Sequence, residues 1–525
     1  MTKTEFVDSA SKPDFYVACL LFCIALAIRI YACPSFALST DESFTANIAL
    51  VDSLDFAFKL IWNEGSPPLI YALLKIWTMV LGQSDQTIKL LGITLSSFIP
   101  CVAYLVILDL FGARRIAVAT CLLCLFSPVL IRFGDMVRPY ALTCIFSMLS
   151  TWSFFSLFKD KPGKLKCALF IIFNTLNAYS HLWGVLFSLS QIFVVLIQFT
   201  LKKWDFEQIK TWIKCASLSA ALFLPWLFVV LSQANKDLHP WYQALPWYQF
   251  LVVAPTNLIS YTVGAKSVYL PFYLVVALSA LLFYASIHFN LSDKKGYANC
   301  LSWISLFVFV TAVMFATSDI PYRERYLLAL TVFVYALICN LLDKLFFWIK
   351  NDFVFSLLPF ALFSVVWFNQ IQILHQMPEA SVGTLVSNLQ VKGELKSNDT
   401  IVVAYNSFVP EVSRKAPGNL IIAAPFKEPY KVMDWQNQAS GLKEPQNLDI
   451  ITGAIKDQFN QNKTVWYIGL ELKQSAAKNK DPYTLLQLNM QEKIKSWLSK
   501  NSRQIAGPKV LNSLDGTAEA IKFSR

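Results

Sequence analysis

Charged residues are scarce in this chain of 525 residues, and their scarcity argues against a soluble protein. Asp, Glu, Lys and Arg make up 15% of the sequence, whereas hydrophobic residues make up 55%, and mean hydropathy is +0.48. Soluble domains contain about 25% charged residues. The chain also lacks a long run of Lys or Arg, so its net charge of +11 does not indicate a nucleic-acid partner. The composition is that of a membrane protein.

Cysteines with metal-ligand spacing are lacking as well. All eleven cysteines lie at or before Cys339, and the one CxxC-like pair, Cys121 and Cys124, lies inside an apolar run. Small core residues explain such a pair better than a metal site does. The segment before the first apolar run lacks a strongly basic stretch, and no convincing cleavage site follows the run. We therefore predict that this run is a retained span and not a removable signal.

Long apolar runs recur throughout the first 375 residues. A helix needs about 20 apolar residues to cross a hydrocarbon core of about 30 Å. Runs of suitable length lie at about 15–33, 88–111, 113–133, 139–158, 167–181, 182–201, 215–233, 269–288, 300–317, 327–346 and 353–372. The sequence thus predicts an α-helical polytopic membrane domain over residues 1–375, with about 11 transmembrane helices.

The distribution of Lys and Arg predicts the orientation of these spans. One set of alternate connections holds fourteen basic residues, and the opposite set holds eight over more residues. Cytoplasmic loops carry the excess of Lys and Arg, so the N-terminus is predicted to be cytoplasmic. The run at 69–82 is too short to span, at about 21 Å, and carries Lys75 in its middle. We interpret it as an amphipathic helix in the outer interface, within a long first outer loop of about 34–87.

The sequence changes character from about residue 376 onward. This part has no cysteine and contains three strand-like segments, Asp399–Asn406, Asn419–Pro425 and Lys463–Leu470, with helical stretches near 450–461 and 483–499. With an odd number of spans before it, residues 376–525 are predicted to form an extracytoplasmic α/β domain. No glycine-rich phosphate loop follows its third strand, so a nucleotide is not predicted there.

Two adjacent acids, Asp41 and Glu42, follow the first span. Ser39 and Glu42 fit a capping box for a helix that starts at this point, and acids suit the positive end of a helix. Capping alone is thus a good explanation of the pair. The other explanation is catalytic, because both acids emerge at the predicted outer surface.

Other outer turns bring further polar residues to the same side. They are Asp135, Arg138 and Tyr140 after the third span, Tyr179 and His181 at the end of the fifth, and Arg323, Arg325 and Tyr326 in a late loop. Each alone has a milder explanation: an arginine can reach to lipid headgroups, and His181 can be an interface histidine. Together they indicate a polar cavity. In such a cavity a carboxylate can take a proton from a hydroxyl, and arginines can bind a phosphate.

The order of several motifs resembles the GT-C glycosyltransferases. The motifs are "TDES", "EGSPPLIYALLKIWTMVLG", "LGQSDQTIKLLG", "RPYAL", "YSHLWG" and "YRERYLL", and they extend over about residues 15–345. They are most similar to the bacterial branch related to dolichyl-phosphate-mannose mannosyltransferases and aminoarabinose transferases. The resemblance implies a GT-C fold and inverting transfer of a sugar from a polyprenyl-phosphate donor to an acceptor outside the membrane. It also implies a bacterial inner membrane.

The resemblance also implies roles for individual residues. Asp41 becomes the catalytic carboxylate of the first loop, with Glu42 as helper or cap, and Asp135 becomes a second carboxylate. Relatives often place a glutamate where this chain has Met136. Candidates for the donor phosphate are Lys75, Arg138, His181, Arg323 and Arg325, and candidates for substrate contact are Tyr140, Tyr179 and Tyr326. Asp41 and Asp135 can also hold a divalent cation such as Mg²⁺ or Mn²⁺, because hard cations take oxygen ligands.

Two other classes of function stay open at this point. A transporter or a flippase for lipid-linked saccharides would have many spans, but it would show paired halves with broken helices near the midplane. A receptor or assembly protein would concentrate its function in residues 376–525. The sequence leaves the acceptor open between a lipid, a polysaccharide and a protein, and it does not name the sugar.

Overall fold

The computed structural model describes residues 12–33, 36–64, 66–159, 162–233, 297–316, 324–376, 382–423, 442–471, 482–513 and 516–525. Apolar helices form the first part of the chain, and a mixed sheet with helices on both faces forms the last part. This arrangement confirms the predicted fold class, a helical membrane domain followed by a small α/β domain.

Apolar helices make up the membrane domain, and most of them are long. They are α1 (Lys12–Ala32), α5 (Asp85–Phe111), α6 (Arg114–Phe126), α7 (Pro128–Gly134), α8 (Tyr140–Lys159), α9 (Lys164–Ser180), α10 (Leu182–Thr200), α11 (Phe206–Gln233), α12 (Tyr297–Ala316), α13 (Leu328–Leu345) and α14 (Asp352–Gln376). In the described residues, six helices are long and apolar enough to cross a membrane, or seven if α6 and α7 count as one broken span. The chain is thus a multi-pass membrane protein, and the predicted number of about 11 spans stays a prediction.

The predicted span at 113–133 consists of two helices and not of one straight helix. α6 ends at Phe126 and α7 begins at Pro128, with a bend of 58° between them. Proline has no N–H for the helical ladder and its ring clashes with the preceding turn, so a break before Pro128 is expected. The predicted span at 269–288 lies outside the described residues.

Three short helices form the described part of the first loop: α2 (Thr40–Ala49), α3 (Leu54–Glu64) and α4 (Leu69–Leu81). Their apolar side chains, including Phe44, Ile61 and Leu74, share a buried cluster with Ile88 of α5 and Trp226 of α11. The helix predicted at 69–82 is present. Its opposite face is open, since Met79 is 76% exposed, and its place in a membrane interface stays a prediction. Packing on α5 and α11 holds the loop against the membrane domain.

The α/β part has the strands β1 (Thr400–Val403), β2 (Leu420–Ala423), β3 (Val465–Glu471), β4 (Arg503–Ser513) and β5 (Gly516–Ser524) in the order β2-β1-β3-β5-β4. The first three are parallel, and β5 is antiparallel to β3 and β4. Helices α15 (Val382–Val391) and α16 (Val409–Lys415) pack on one face, and α17 (Pro445–Asn460) and α18 (Pro482–Asn501) pack on the other. Both faces of the central strands are therefore buried, which explains their continuous apolar sequence.

Candidate active site

An ion pair between Asp41 and Arg325 lies at the centre of the candidate site. Asp41 is in the first turn of α2, and Arg325 is in a short 3₁₀ turn (Glu324–Leu327) that precedes α13. Asp41 Oδ2 lies 3.0 Å from an Arg325 NH2 atom, and the side chains are 37% and 25% exposed. Two segments that are far apart in sequence thus place a carboxylate and a guanidinium together, within reach of solvent.

Arg138 is held by two residues of the first loop. Its NH1 donates hydrogen bonds to Thr45 Oγ1 and to Glu64 Oε1, each at 3.0 Å. The second oxygen of Glu64 accepts a hydrogen bond from the Tyr71 hydroxyl. Burial alone would lower the pKa of Arg138, but the negative charges of Glu64 and Asp41 raise it, so the guanidinium keeps its proton. Thr45 also bonds the backbone carbonyl of Asp41 at 3.0 Å, which connects the Arg138 group to the Asp41 turn.

Arg138 and Arg325 each have one N–H donor without a hydrogen-bond partner in the described residues. The Nε atoms of Arg138 and Arg325 are buried and have no hydrogen-bond partner within the described part of the chain. A buried donor without a partner is costly, and charged donors are the most costly. Two such donors next to a carboxylate therefore suit an anionic ligand with several acceptor oxygens, and a guanidinium can bind a phosphate through two parallel hydrogen bonds.

Aromatic rings line one side of this group. The Arg325 guanidinium lies 5.6 Å from the centre of the Tyr140 ring, and Tyr326 lies 6.4 Å from Tyr140 and 5.1 Å from His181. His181 Nδ1 accepts a hydrogen bond from the backbone N–H of Trp183 at 3.1 Å. Burial, followed by the charges of Arg138 and Arg325, lowers the pKa of His181 to about 3. A neutral His181 can contribute its Nε2–H to a ligand, but not a positive charge.

Glu42 belongs to a separate, buried group. Its Oε2 accepts hydrogen bonds from Ser39 N at 3.0 Å and Ser39 Oγ at 2.8 Å, which is the capping box that the sequence predicted. Its Oε1 accepts from Lys89 Nζ at 2.9 Å and from Val137 N at 3.0 Å. Burial would raise the pKa of Glu42, but Lys89 and the N–H donors lower it. Glu42 is thus an ionised anchor for the start of α2, with both oxygens occupied.

Asp135 lies in the same buried region and not beside Asp41. Its Oδ1 lies 3.5 Å from Arg29 Nε and accepts a hydrogen bond from Ser96, and the residue is 4% exposed. Burial raises the pKa of Asp135 to about 6. The backbone here packs so closely on α5 that a Cβ added to Gly92 would lie 2.3 Å from the Asp135 carbonyl oxygen. Asp41 and Asp135 thus have different partners, and Asp135 lies in the turn that precedes Arg138.

The remaining predicted residues lie apart from this centre or outside the described residues. Lys75 Nζ donates to the carbonyl of Val51 at 3.0 Å. Tyr179 bonds the Leu222 carbonyl at 2.9 Å and packs against Phe223, so it contacts α11. Arg323 lies outside the described residues. The structure therefore brings together Asp41, Arg138, Tyr140, His181, Arg325 and Tyr326 from the predicted set.

Four residues that belong to the site or to the buried group beside it did not emerge from the sequence reasoning: Arg29, Thr45, Glu64 and Lys89. Signals for two of them were present. Arg29 is the only charge within the first apolar run, and an ionisable residue within a span is by default functional or paired. Glu64 is the first residue of the "EGSPPLIYALLKIWTMVLG" motif that belongs to the resemblance. Among the described residues, no group of three or more His, Cys, Asp or Glu could hold a metal ion. The predicted divalent cation stays a prediction.

Comparisons with known proteins agree with this architecture. Residues 65–228 match the family model described as dolichyl-phosphate-mannose-protein mannosyltransferase. No curated protein sequence matches the chain. The structure of ArnT from Cupriavidus metallidurans in the apo state superposes with a TM-score of 0.58 at 12% identity, covering 98% of each chain. The same protein bound to undecaprenyl phosphate gives a TM-score of 0.56 at 11% identity, covering 97% of each chain.

A more distant likeness extends to a second enzyme. The archaeal oligosaccharyltransferase AglB from Archaeoglobus fulgidus, in complex with an inhibitory peptide and a dolichol-phosphate, superposes with a TM-score of 0.52 at 11% identity. The match covers 87% of this chain and 70% of AglB. At such low identity these superpositions establish the fold. The chain is thus a multi-pass membrane protein that shares the fold of ArnT, and its residues 65–228 are similar to the dolichyl-phosphate-mannose-protein mannosyltransferase family.

Proposed function

We propose that the chain transfers a sugar from a polyprenyl-phosphate-linked donor to an acceptor hydroxyl on the extracytoplasmic side of a bacterial inner membrane, with inversion at the anomeric carbon. The observation that carries the proposal is the grouping of Asp41 with two arginines whose buried Nε atoms lack partners. ArnT binds undecaprenyl phosphate and AglB binds a dolichol-phosphate in the structures compared above, which supports a lipid phosphate as the ligand here.

The reaction requires a base and a site for the leaving phosphate. Asp41 takes the proton of the acceptor hydroxyl while the hydroxyl oxygen attacks the anomeric carbon. The bond from that carbon to the phosphate oxygen breaks, and the polyprenyl phosphate leaves with one more negative charge than the donor carried. Arg138 and Arg325 bind this growing charge through fixed N–H donors, which stabilises the transition state more than the ground state. One carboxylate base and one displacement give inversion.

The ion pair between Asp41 and Arg325 indicates where the donor phosphate would bind. The carboxylate occupies a guanidinium edge that the donor phosphate would otherwise take. Binding of the donor would move Arg325 onto the phosphate, and the Asp41 carboxylate would then accept the proton of the acceptor hydroxyl. The helix α4, which the sequence predicts to lie in the interface, and the aromatic rings of Tyr140 and Tyr326 suit the lipid and the sugar. The transporter alternative gains no support from the family match or the shared fold.

The experiment measures transfer of labelled sugar by purified full-length protein from a panel of polyprenyl-phosphate sugars, with membrane extract as acceptor. D41N removes the base, and we expect kcat to fall by about 100-fold or more, the range for loss of a general base. D55N is the matched control, because Asp55 lies in the same loop, is 78% exposed and pairs only with Lys59 among the described ion pairs. Equal rates for wild type and a monodisperse D41N would remove Asp41 from catalysis, and no transfer with any donor would refute the proposed function.

A further inference from the structure

The C-terminal domain contacts the helix that carries Asp41. Helix α16 of this domain lies against α2, where Thr40 Oγ1 donates a hydrogen bond of 2.5 Å to Glu411 Oε1. About two turns further along α2, Asn47 Nδ2 donates to the Pro410 carbonyl at 3.0 Å and to Ser413 Oγ at 3.3 Å. Both ends of α2 are thus bonded to one short helix of the other domain.

Glu411 connects the two domains through a single carboxylate. Its Oε2 accepts a hydrogen bond of 3.0 Å from the backbone N–H of Gly383, in the first turn of α15, while its Oε1 bonds Thr40. The residue is only 4% exposed. A buried carboxylate is tolerated where it accepts hydrogen bonds, so Glu411 requires both donors. One of these donors comes from the residue next to Asp41.

A second anchor holds α16 in place. Arg414 Nε lies 2.5 Å from Asp85 Oδ1, Lys415 pairs with the other oxygen of Asp85, and Arg414 also donates to the Gln83 carbonyl at 2.6 Å. Asp85 begins helix α5, whose residue Lys89 bonds Glu42. The C-terminal domain is therefore fixed to α5 at one end of α16 and to α2 at the other.

We propose that Glu411 is a positioning residue for the reaction: through Thr40 it fixes the first turn of α2, and with it the Asp41 carboxylate relative to Arg325. This inference rests on the proposed function and assigns the C-terminal domain a part in it. On the membrane side, Glu42 fixes the same turn through Lys89 and Val137. The base is thus held from both domains, and its placement requires a docked C-terminal domain.

The kinetic test uses full-length E411A, E411Q and T40V. A displacement of about 1 Å can cost about 100-fold in rate, and a turn still anchored by Glu42 moves less, so we expect kcat to fall about 10-fold in E411A. The donor KM should stay within about 2-fold, because Arg138 and Arg325 are untouched. The kcat of E411Q should lie between those of wild type and E411A, because the amide keeps one acceptor oxygen. The double variant T40V/E411A should be no slower than the slower single variant, because both substitutions remove the same hydrogen bond between Thr40 and Glu411.

E394Q is the matched control. Glu394 is in the same domain, its side chain is 29% exposed, and in the described part of the chain its ion pair is with Lys509 of that domain. It should leave kcat unchanged. If E411A acted only by destabilising the C-terminal domain, its effect on kcat would be independent of T40V, and the double variant would be slower than either single variant. That result would overturn the inference. So would full activity in E411A.

Hydrogen–deuterium exchange separates this inference from the proposed function. We expect faster amide exchange over residues 40–49 in E411A than in wild type, with no change in E394Q, whether or not a donor has been found. Unchanged exchange in E411A, with active wild type, overturns the role of Glu411 alone. Faster exchange in a protein that transfers no sugar from any donor supports the coupling and refutes the proposed reaction.

Discussion

Asp41 and Arg325 form an ion pair with 3.0 Å between carboxylate and guanidinium, although 284 positions separate them in the sequence. A pair at this exposure contributes little to stability. In the proposed reaction it places the base next to the donor phosphate, and in the structure it joins the first loop to the turn that precedes α13.

Replacing Arg325 tests the phosphate site directly. We expect R325A to raise the half-inhibitory concentration of added undecaprenyl phosphate by about 10-fold or more, which corresponds to about 1.4 kcal/mol. R325K should restore only part of the affinity, because an ammonium lacks the planar fork that binds two phosphate oxygens. K59A, at an exposed pair in α3, is the control. If undecaprenyl phosphate inhibited R325A at the same half-inhibitory concentration as wild type, Arg325 would not bind the phosphate.

Glu64 should act through Arg138. E64Q removes the charge that orients the buried guanidinium, and we expect the donor KM to rise about 10-fold with a smaller change in kcat, as for loss of a charged hydrogen bond. Y71F removes the second partner of Glu64 and should cost about 3-fold or less, because a neutral donor is lost. Donor titrations at saturating acceptor measure both. A fall in kcat with unchanged donor KM would contradict this role.

The sequence predicted the general architecture because each span is set by local composition. Ten of the eleven predicted runs coincide with described helices, α6 and α7 together forming one of them, and the parallel strands β1, β2 and β3 were recognised from continuous apolar runs. The hairpin of β4 and β5 was missed. β4 carries Gln504, Lys509 and Asn512 among its apolar residues, and its partner was not recognisable from local sequence.

The site was harder to predict because pairing depends on tertiary contacts. The sequence placed Asp41, Arg138 and Arg325 on one side through the topology argument alone. It could not show that Glu42 is enclosed by Lys89 and a backbone N–H, or that Asp135 faces Arg29. Acids next to each other in sequence have different roles here because successive residues of a helix point in different directions.

Breaking the buried Glu42–Lys89 pair should destabilise the protein strongly. K89M leaves the Glu42 carboxylate without its ammonium at a site 1% exposed, which costs about 3–5 kcal/mol. E42Q/K89M removes both charges and should recover part of this loss. Thermal unfolding in detergent measures the difference, with K59M as the control, since an exposed pair contributes about 1 kcal/mol or less. Equal stability of K89M and K59M would contradict a structural role for this pair.

Asp135 should make stability depend on pH in a direction opposite to that of most carboxylates. Burial raises its pKa to about 6 in the folded chain, against about 3.9 for an unfolded aspartate. Between these values the folded state binds more protons than the unfolded state, so the contribution of Asp135 is present below about pH 4 and is lost as pH rises through about 6. The loss amounts to about 3 kcal/mol, from a shift of about two pKa units.

Thermal unfolding of wild type and D135N between pH 4 and pH 7 measures this contribution. Both proteins are compared in the same detergent and buffers, so that the pH dependence of every other group cancels. We expect wild type to lose stability relative to D135N as pH rises to about 6, and the difference to level off above about 7. A difference that grows in favour of wild type over this interval would mean that Arg29, 3.5 Å from Asp135, outweighs burial and keeps the carboxylate ionised.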